Sequence, residues 1–112
     1  MELFMRTIFA AAFLLVTALP CHAQQAVSGT LTQVRTGWND DSFGIMLNVP
    51  QINPAHCTEN TLGYISTINN AGFHTYYSAA LTAYVARKPV TITVHNTECI
   101  GGFPKIIGIN MP

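Results

Sequence analysis

Hydrophobic and polar residues alternate along several short stretches of the chain, which is the pattern of β-strands that bury one face. The first stretch, 26–36, has Val27, Leu31 and Val34 as its apolar positions. Gly29 interrupts this stretch and predicts a bulge or a bend in the strand. Four more strands are predicted from the same pattern, over 42–49, 61–68, 90–94 and 104–111.

A helical period replaces the alternation between the third and fourth strands, and Pro89 ends it. The predicted core face of this helix consists of Phe73, Tyr77, Ala80, Leu81 and Tyr84. No Asp, Glu, Lys or Arg occurs from His74 to Ala86, whereas a solvated helix normally carries charges opposite its apolar stripe. Alanines three to four residues apart also let helices approach closely, although exposed alanine is a good helix former in its own right. We therefore expect a subunit interface on a second face formed by Tyr76, Ala79, Ala83 and Ala86.

The order of elements is three strands, one helix and two strands. This is the order of a five-stranded OB-fold barrel, in which the helix lies between strands 3 and 4. The sequence therefore predicts a mainly β protein with one helix. An α+β sandwich with the same element order is the alternative. The length of 24–112 corresponds to a single small domain.

The N-terminal segment has the three parts of a secretory signal peptide. A short region that contains Arg6 precedes the apolar run 7–19, and the small residues Cys21 and Ala23 follow Pro20. The apolar run is shorter than the roughly 20 residues that a transmembrane helix needs. A lipoprotein acylated at Cys21 is the alternative, but the bulky Pro20 disfavours it. We expect cleavage near Ala23, removal of 1–23, and a secreted or periplasmic product.

Two cysteines, Cys57 and Cys99, remain after this cleavage, and in an exported protein such a pair predicts a disulfide. The competing interpretation is a metal site, because His56 adjoins Cys57 and His95 precedes Cys99 by four residues. Metal sites usually contain a closely spaced pair such as Cys-x-x-Cys or His-x-x-x-His, and neither motif occurs here. We expect no metal and no cofactor.

Few charged residues remain in 24–112, and they balance. The cations are Arg35, Arg87, Lys88 and Lys105, and the acids are Asp40, Asp41, Glu59 and Glu98. A basic stripe of the kind that binds nucleic acid is missing, and so is a polybasic membrane-binding segment. Motifs of catalysis are missing too, since no Gly-x-Ser-x-Gly elbow occurs and an Asx turn accounts for Asp40-Asp41. We predict that the protein is not an enzyme.

The loop between the first two strands contains the only tryptophan, Trp38, next to Asn39, Asp40 and Asp41. An aromatic platform beside planar polar groups suits a sugar, whose apolar face stacks while its hydroxyls form hydrogen bonds. OB folds bind oligonucleotides or oligosaccharides through this loop, and the lack of a basic field favours a sugar. The alternative is a tryptophan packed over the end of the barrel.

Several spaced residues between Val27 and Val94 resemble those of a family of bacterial toxin B subunits, which includes that of subtilase cytotoxin and its pertussis-like and typhoid-toxin relatives. In the helix and the next strand the shared pattern is Phe73-x-Thr75-x-Tyr77-x-x-Ala80-Leu81-x-x-Tyr84 and Pro89-Val90-x-Ile92. In the first strand it is Ser28-Gly29, Thr32-Gln33 and Thr36-Gly37.

The resemblance implies an OB-fold lectin that assembles as a homopentameric ring, with the helices lining the centre. It also implies binding of sialylated glycans on host cells and docking of a separate catalytic A subunit. Ser28 falls at the position of a sugar-contacting serine, whereas Thr93 and Val94 stand where the family has an aromatic pocket residue. We expect Ser28, Trp38, Asn39 and Asp41 to contact a glycan. The alternative function is a stand-alone exported OB-fold protein that acts through protein–protein contacts, as an inhibitor or an envelope accessory factor.

Overall fold

The structure, a computed structural model, describes residues 24–37 and 40–112. The predicted signal peptide and its cleavage position lie outside the described residues, as do Trp38 and Asn39. The elements are β1 (Gln24–Thr36), β2 (Ser42–Leu47), β3 (Tyr64–Thr67), α1 (Phe73–Ala86), β4 (Pro89–Ile100) and β5 (Phe103–Asn110).

The five strands form a closed barrel in the order β1-β2-β3-β5-β4, and β4 pairs with β1 to close it. Only the β3–β5 pairing is parallel among those described, with Ile65 opposite Lys105. Together with α1 between β3 and β4, this topology confirms the predicted five-stranded OB-fold barrel and rules out the α+β sandwich.

β1 takes part in two pairings, which is how one long strand helps to close the barrel. Residues 24–30 pair with β4, and Leu31 onwards pairs with β2. The predicted irregularity is present, but the register shift lies between Leu31 and Gln33 and not at Gly29. Gly29 instead allows the backbone of β1 to lie close to the Asn48 side chain, because a Cβ atom at this position would come within 2.9 Å of Asn48 Oδ1. Asn48 Oδ1 accepts a hydrogen bond from the Thr30 amide at 2.9 Å, which holds the bend.

The core lies inside the barrel and follows the period-two pattern of the sequence. In β4, for example, Val90, Ile92 and Val94 are buried while the residues between them are half-buried. Burial raises the pKa of the Tyr64 hydroxyl, an effect opposed by the hydrogen bond that the Ile52 amide donates to it. The buried cluster comprises Leu31, Phe43, Ile45, Tyr64, Phe73, Ala80, Ala83, Val90, Ile92, Val94 and Ile106.

The predicted core face of α1 is partly wrong. Phe73 and Ala80 are buried as expected, but Leu81 and Tyr84 are 37% and 43% exposed. Ala83, predicted at a subunit interface, is 1% exposed and belongs to the barrel core. The reason is steric, because alanine lets the helix backbone lie closer to the barrel than leucine or tyrosine would.

Tyr76, a second residue of the predicted interface face, is half-buried and packs against the core, and its place at a subunit interface stays a prediction. Ala86 is exposed and Ala79 is half-buried. The uncharged face that α1 leaves in solvent is therefore a different one, and its large apolar residues are Leu81, Tyr84 and Val85.

β4 is longer than predicted, because it continues past Val94 to Ile100. The segment 95–98 was missed since it is polar and lacks the alternation that marks a strand with a buried face. β2 and β3 are shorter than predicted, by two residues at the end of β2 and by three at the start of β3. The predicted disulfide is confirmed, and it joins Cys57 in the β2–β3 loop to Cys99 near the end of β4.

Candidate functional site

A cleft of about 320 Å³ lies between the β1–β2 loop and the first turns of α1. We call it the loop cleft. It is lined by Thr36, Gly37, Asp40, Asp41, Ser42, Phe73, His74 and Tyr77.

Backbone and hydroxyl contacts hold the loop side of the cleft in place. The buried Ser42 hydroxyl donates to Asp40 Oδ1 at 2.5 Å and lies 3.2 Å from the Gly37 carbonyl oxygen. The Gly37 amide in turn donates to the Ser42 carbonyl at 3.3 Å, which closes the loop. The Ile68 amide donates to the Asp41 carbonyl at 2.9 Å and so ties the loop to the end of β3. These hydrogen bonds hold the described residues at both ends of the loop in place.

Packed aromatic rings form the opposite wall. The Tyr77 ring lies 5.2 Å from that of Phe43 in the core, and it stacks on Phe73 at an interplanar angle of 4° and a distance of 6.4 Å. The exposed His74 ring meets the Phe73 ring edge-on at 5.2 Å. Because Phe43 is fully buried, its contact anchors the Tyr77 ring to the core of the barrel.

The charged groups among the described residues of the cleft are the carboxylates of Asp40 and Asp41, and its other polar side chains, among them Thr36, His74 and Tyr77, carry donors as well as acceptors. Asp40 and Asp41 are both exposed, and the Asp41 carboxylate makes no hydrogen bond to the residues that the structure describes. No lysine or arginine lines the cleft among these residues. A ligand with several hydroxyl donors and an apolar face would match such acceptors beside an aromatic wall.

Of the four predicted glycan contacts, Asp41 lines the loop cleft. Trp38 and Asn39 are not described, although both neighbours of this dipeptide in the chain, Gly37 and Asp40, line the cleft. His74 was not among the predicted ligand contacts, and Tyr77 was predicted to pack in the core only. Their helical positions gave no sign that the start of α1 adjoins the β1–β2 loop, since that contact depends on the closed barrel.

Ser28 lies elsewhere, on the outward side of the β1–β4 pairing. Its Oγ is 2.7 Å from Thr91 Oγ1, and Thr91 also pairs with Asn110 of β5. Ala26, Thr93 and Gly108 form the next outward row, so the surface is shallow and uncharged. We call these six residues the hydroxyl face.

The structure does not bring Ser28 and Asp41 together. Eight residue steps along β1 (36 − 28) separate Ser28 from Thr36 at the cleft, or about 26 Å of extended strand. One monosaccharide does not reach from one to the other, so Ser28 and Asp41 belong to two different surfaces.

A larger cleft, of about 420 Å³, lies between the end of β2 and the β2–β3 loop. Its lining is mostly apolar, with Met46, Val49 and Pro50 among its residues. The Gln51 amide in its wall is already engaged, accepting from the Gly63 amide at 2.7 Å and donating to the Glu59 carbonyl at 3.3 Å. It therefore offers fewer free polar groups than the loop cleft, despite its size.

Within 24–37 and 40–112, no group of three or more His, Cys, Asp or Glu side chains is placed to hold a metal ion. The same part of the chain contains no helix long and apolar enough to cross a membrane. No protein-family model, curated protein or solved structure matches this chain.

Proposed function

We propose that the protein is an exported, non-enzymatic glycan-binding subunit, and that the loop cleft binds a neutral sugar. The observation that carries this proposal is the pairing of two exposed carboxylates, Asp40 and Asp41, with the aromatic wall of Phe73 and Tyr77. Sugar hydroxyls donate to carboxylates, and the C–H face of a pyranose packs on an aromatic ring.

The charge of the cleft bears on the kind of sugar. The resemblance implies sialylated glycans, whose carboxylate would be placed next to Asp40 and Asp41. Like charges at close range oppose binding, so the cleft favours a neutral glycan. The uncharged hydroxyl face around Ser28 is the surface where a sialylated ligand would meet no acidic side chain.

A glycan array with the mature protein, followed by calorimetry on the strongest neutral hit, tests the proposal. Asp41→Asn keeps the size of the side chain but removes its charge, and we expect about ten-fold weaker binding or more. Ser28→Ala is the matched control on the hydroxyl face and should leave the affinity unchanged. The reverse pattern would move the site to the hydroxyl face, and no glycan bound by the native protein would reject the function.

Self-association is the second part of the proposal. The resemblance implies a homopentameric ring that docks a separate catalytic A subunit. The exposed apolar residues Leu81, Tyr84 and Val85 on uncharged α1 support an interface on this face of the helix. Light scattering at tens of micromolar should show an oligomer, and a monomer at that concentration would contradict this part.

A stand-alone exported OB-fold protein that acts through protein–protein contacts remains the alternative function. The same exposed face of α1 supports it, because a partner of another sequence could cover Leu81 and Val85 equally well. A monomer that binds no glycan would favour this alternative.

A further inference from the structure

Strand β4 contains a four-residue interruption whose hydrogen bonds depend on one histidine. Val94 pairs with Ile106 and Cys99 pairs with Pro104, so residues 95–98 of β4 face the single residue Lys105 of β5. Such an insertion loses its ladder hydrogen bonds, and other groups must satisfy the backbone.

The His95 ring provides the missing acceptor. Its Nδ1 lies 3.1 Å from the Thr97 amide nitrogen and 3.0 Å from the Glu98 amide nitrogen, and both amides donate to it. The Thr97 hydroxyl oxygen is 3.3 Å from the same atom. A ring nitrogen accepts hydrogen bonds only while it carries no proton, so this geometry requires neutral His95 with its hydrogen on Nε2.

The charged groups around His95 are Glu98 on β4 and Lys105 on β5. His95 Nε2 is 3.7 Å from Glu98 Oε2, and that oxygen accepts a hydrogen bond from Lys105 Nζ at 2.7 Å. On the other side β1 contributes Gln24, which pairs with His95 and has an uncharged side chain. Glu98 attracts a protonated ring, but it faces Nε2 and cannot replace the acceptor at Nδ1.

We propose that His95 and the interruption 95–98 form a pH-sensitive clasp, which is closed when the imidazole is neutral and opens when Nδ1 takes up a proton. An Nδ1–H would point at two amide hydrogens, so the ring must turn and both hydrogen bonds are lost. An imidazole changes its charge between about pH 5 and 8, a range that an exported protein meets. Cys99 directly follows this segment, and its disulfide bond to Cys57 confines the opening to residues 95–98. The clasp does not depend on the proposed glycan binding.

Amide NMR of the native protein and of two variants from about pH 5 to 8 tests the clasp. His95→Asn can keep an acceptor oxygen near the position of Nδ1 but cannot titrate, and His95→Ala removes the acceptor. In the native protein, protection of the Thr97 and Glu98 amides, corrected for intrinsic exchange, should fall about five-fold or more as the ring protonates. His95→Asn should stay protected throughout, and His95→Ala should be open throughout.

Amides that stay equally protected in the native protein while the ring titrates would overturn the proposal. The same conclusion would follow if His95→Asn lost protection over the same pH range as the native protein. Should His95→Ala fail to fold, the comparison of the native protein with His95→Asn decides the question alone. The Val94 amide serves as an internal control, since its residue pairs with Ile106 outside the interruption.

Discussion

Tyr76 donates its hydroxyl hydrogen to the backbone carbonyl of Ile107, with 2.7 Å between the two oxygens. This bond joins the first turn of α1 to β5, and it helps to hold the helix in the rotation that the packing of Ala80 and Ala83 sets. It explains why Tyr76 faces inward. The sequence could not predict this orientation, because the residues around Tyr76 are no more apolar than those around Tyr84.

Tyr76→Phe removes this hydrogen bond while keeping the ring. We expect the free energy of unfolding to fall by about 1 kcal/mol, because the Ile107 carbonyl loses its partner. Tyr84→Phe is the matched control on the exposed side of α1 and should change stability by less than about 0.5 kcal/mol. Urea unfolding of both variants measures the difference, and equal stabilities would show that the bond contributes nothing.

Ala83→Glu distinguishes the buried face of α1 from its exposed face. Ala83 is enclosed by the barrel, so a carboxylate there is buried without a partner, and we expect loss of the folded state. Val85→Glu, at a side chain that is 81% exposed, should keep the fold and weaken self-association only. Circular dichroism reports folding and light scattering reports mass. A folded Ala83→Glu protein that has merely dissociated would contradict the placement of Ala83.

Gly63 occupies a position that no other residue tolerates. Its φ is +105°, and a Cβ atom would overlap the carbonyl oxygen of Ile45 on the neighbouring strand. We expect Gly63→Ala to destabilise the protein by more than about 2 kcal/mol. Gly101→Ala is the control, since its φ of +55° is left-handed too but nothing lies within 4 Å. Thermal unfolding should separate the two, and a similar loss in both would point to φ alone.

Glu98 gives an acid-range pH dependence. The hydrogen bond from Lys105 lowers the pKa of Glu98, and the charge of Lys105 lowers it further. A carboxyl group whose pKa is lower in the folded state stabilises the protein at pH values above its unfolded-state pKa, which is near 4.5 here. This stabilisation is lost as the pH falls through the folded-state pKa. Lys105→Gln should raise the pKa of Glu98 towards its ordinary value. Carboxyl NMR titration measures this, and an unchanged pKa would exclude Lys105 as the cause.

The residues of the loop cleft show which ligand contacts can be predicted from local sequence patterns and which cannot. Trp38, Asn39 and Asp41 could be predicted as ligand contacts because an aromatic residue and planar polar residues stand within four consecutive positions of the sequence. His74 and Tyr77 could not be added to them from spacing, since they enter the cleft only when the start of α1 meets the β1–β2 loop. Ser28 was grouped with the loop by resemblance, and the length of β1 separates them.

Local sequence patterns were enough to predict the element order, the barrel and the Cys57–Cys99 pair. Period-two burial and helical spacing are local, and Cys57 and Cys99 are the two cysteines of 24–112, so each has only the other to pair with. The rotation of α1 and the conformation of 95–98 depend instead on contacts between elements that are distant in the sequence. A helix without charges has no polar side to mark its exterior, so close packing of Ala80 and Ala83 chose the buried face. The polar segment 95–98 has no hydrophobic pattern. Its conformation depends on the pairing of its flanking residues with β5 and on the hydrogen bonds that His95 accepts.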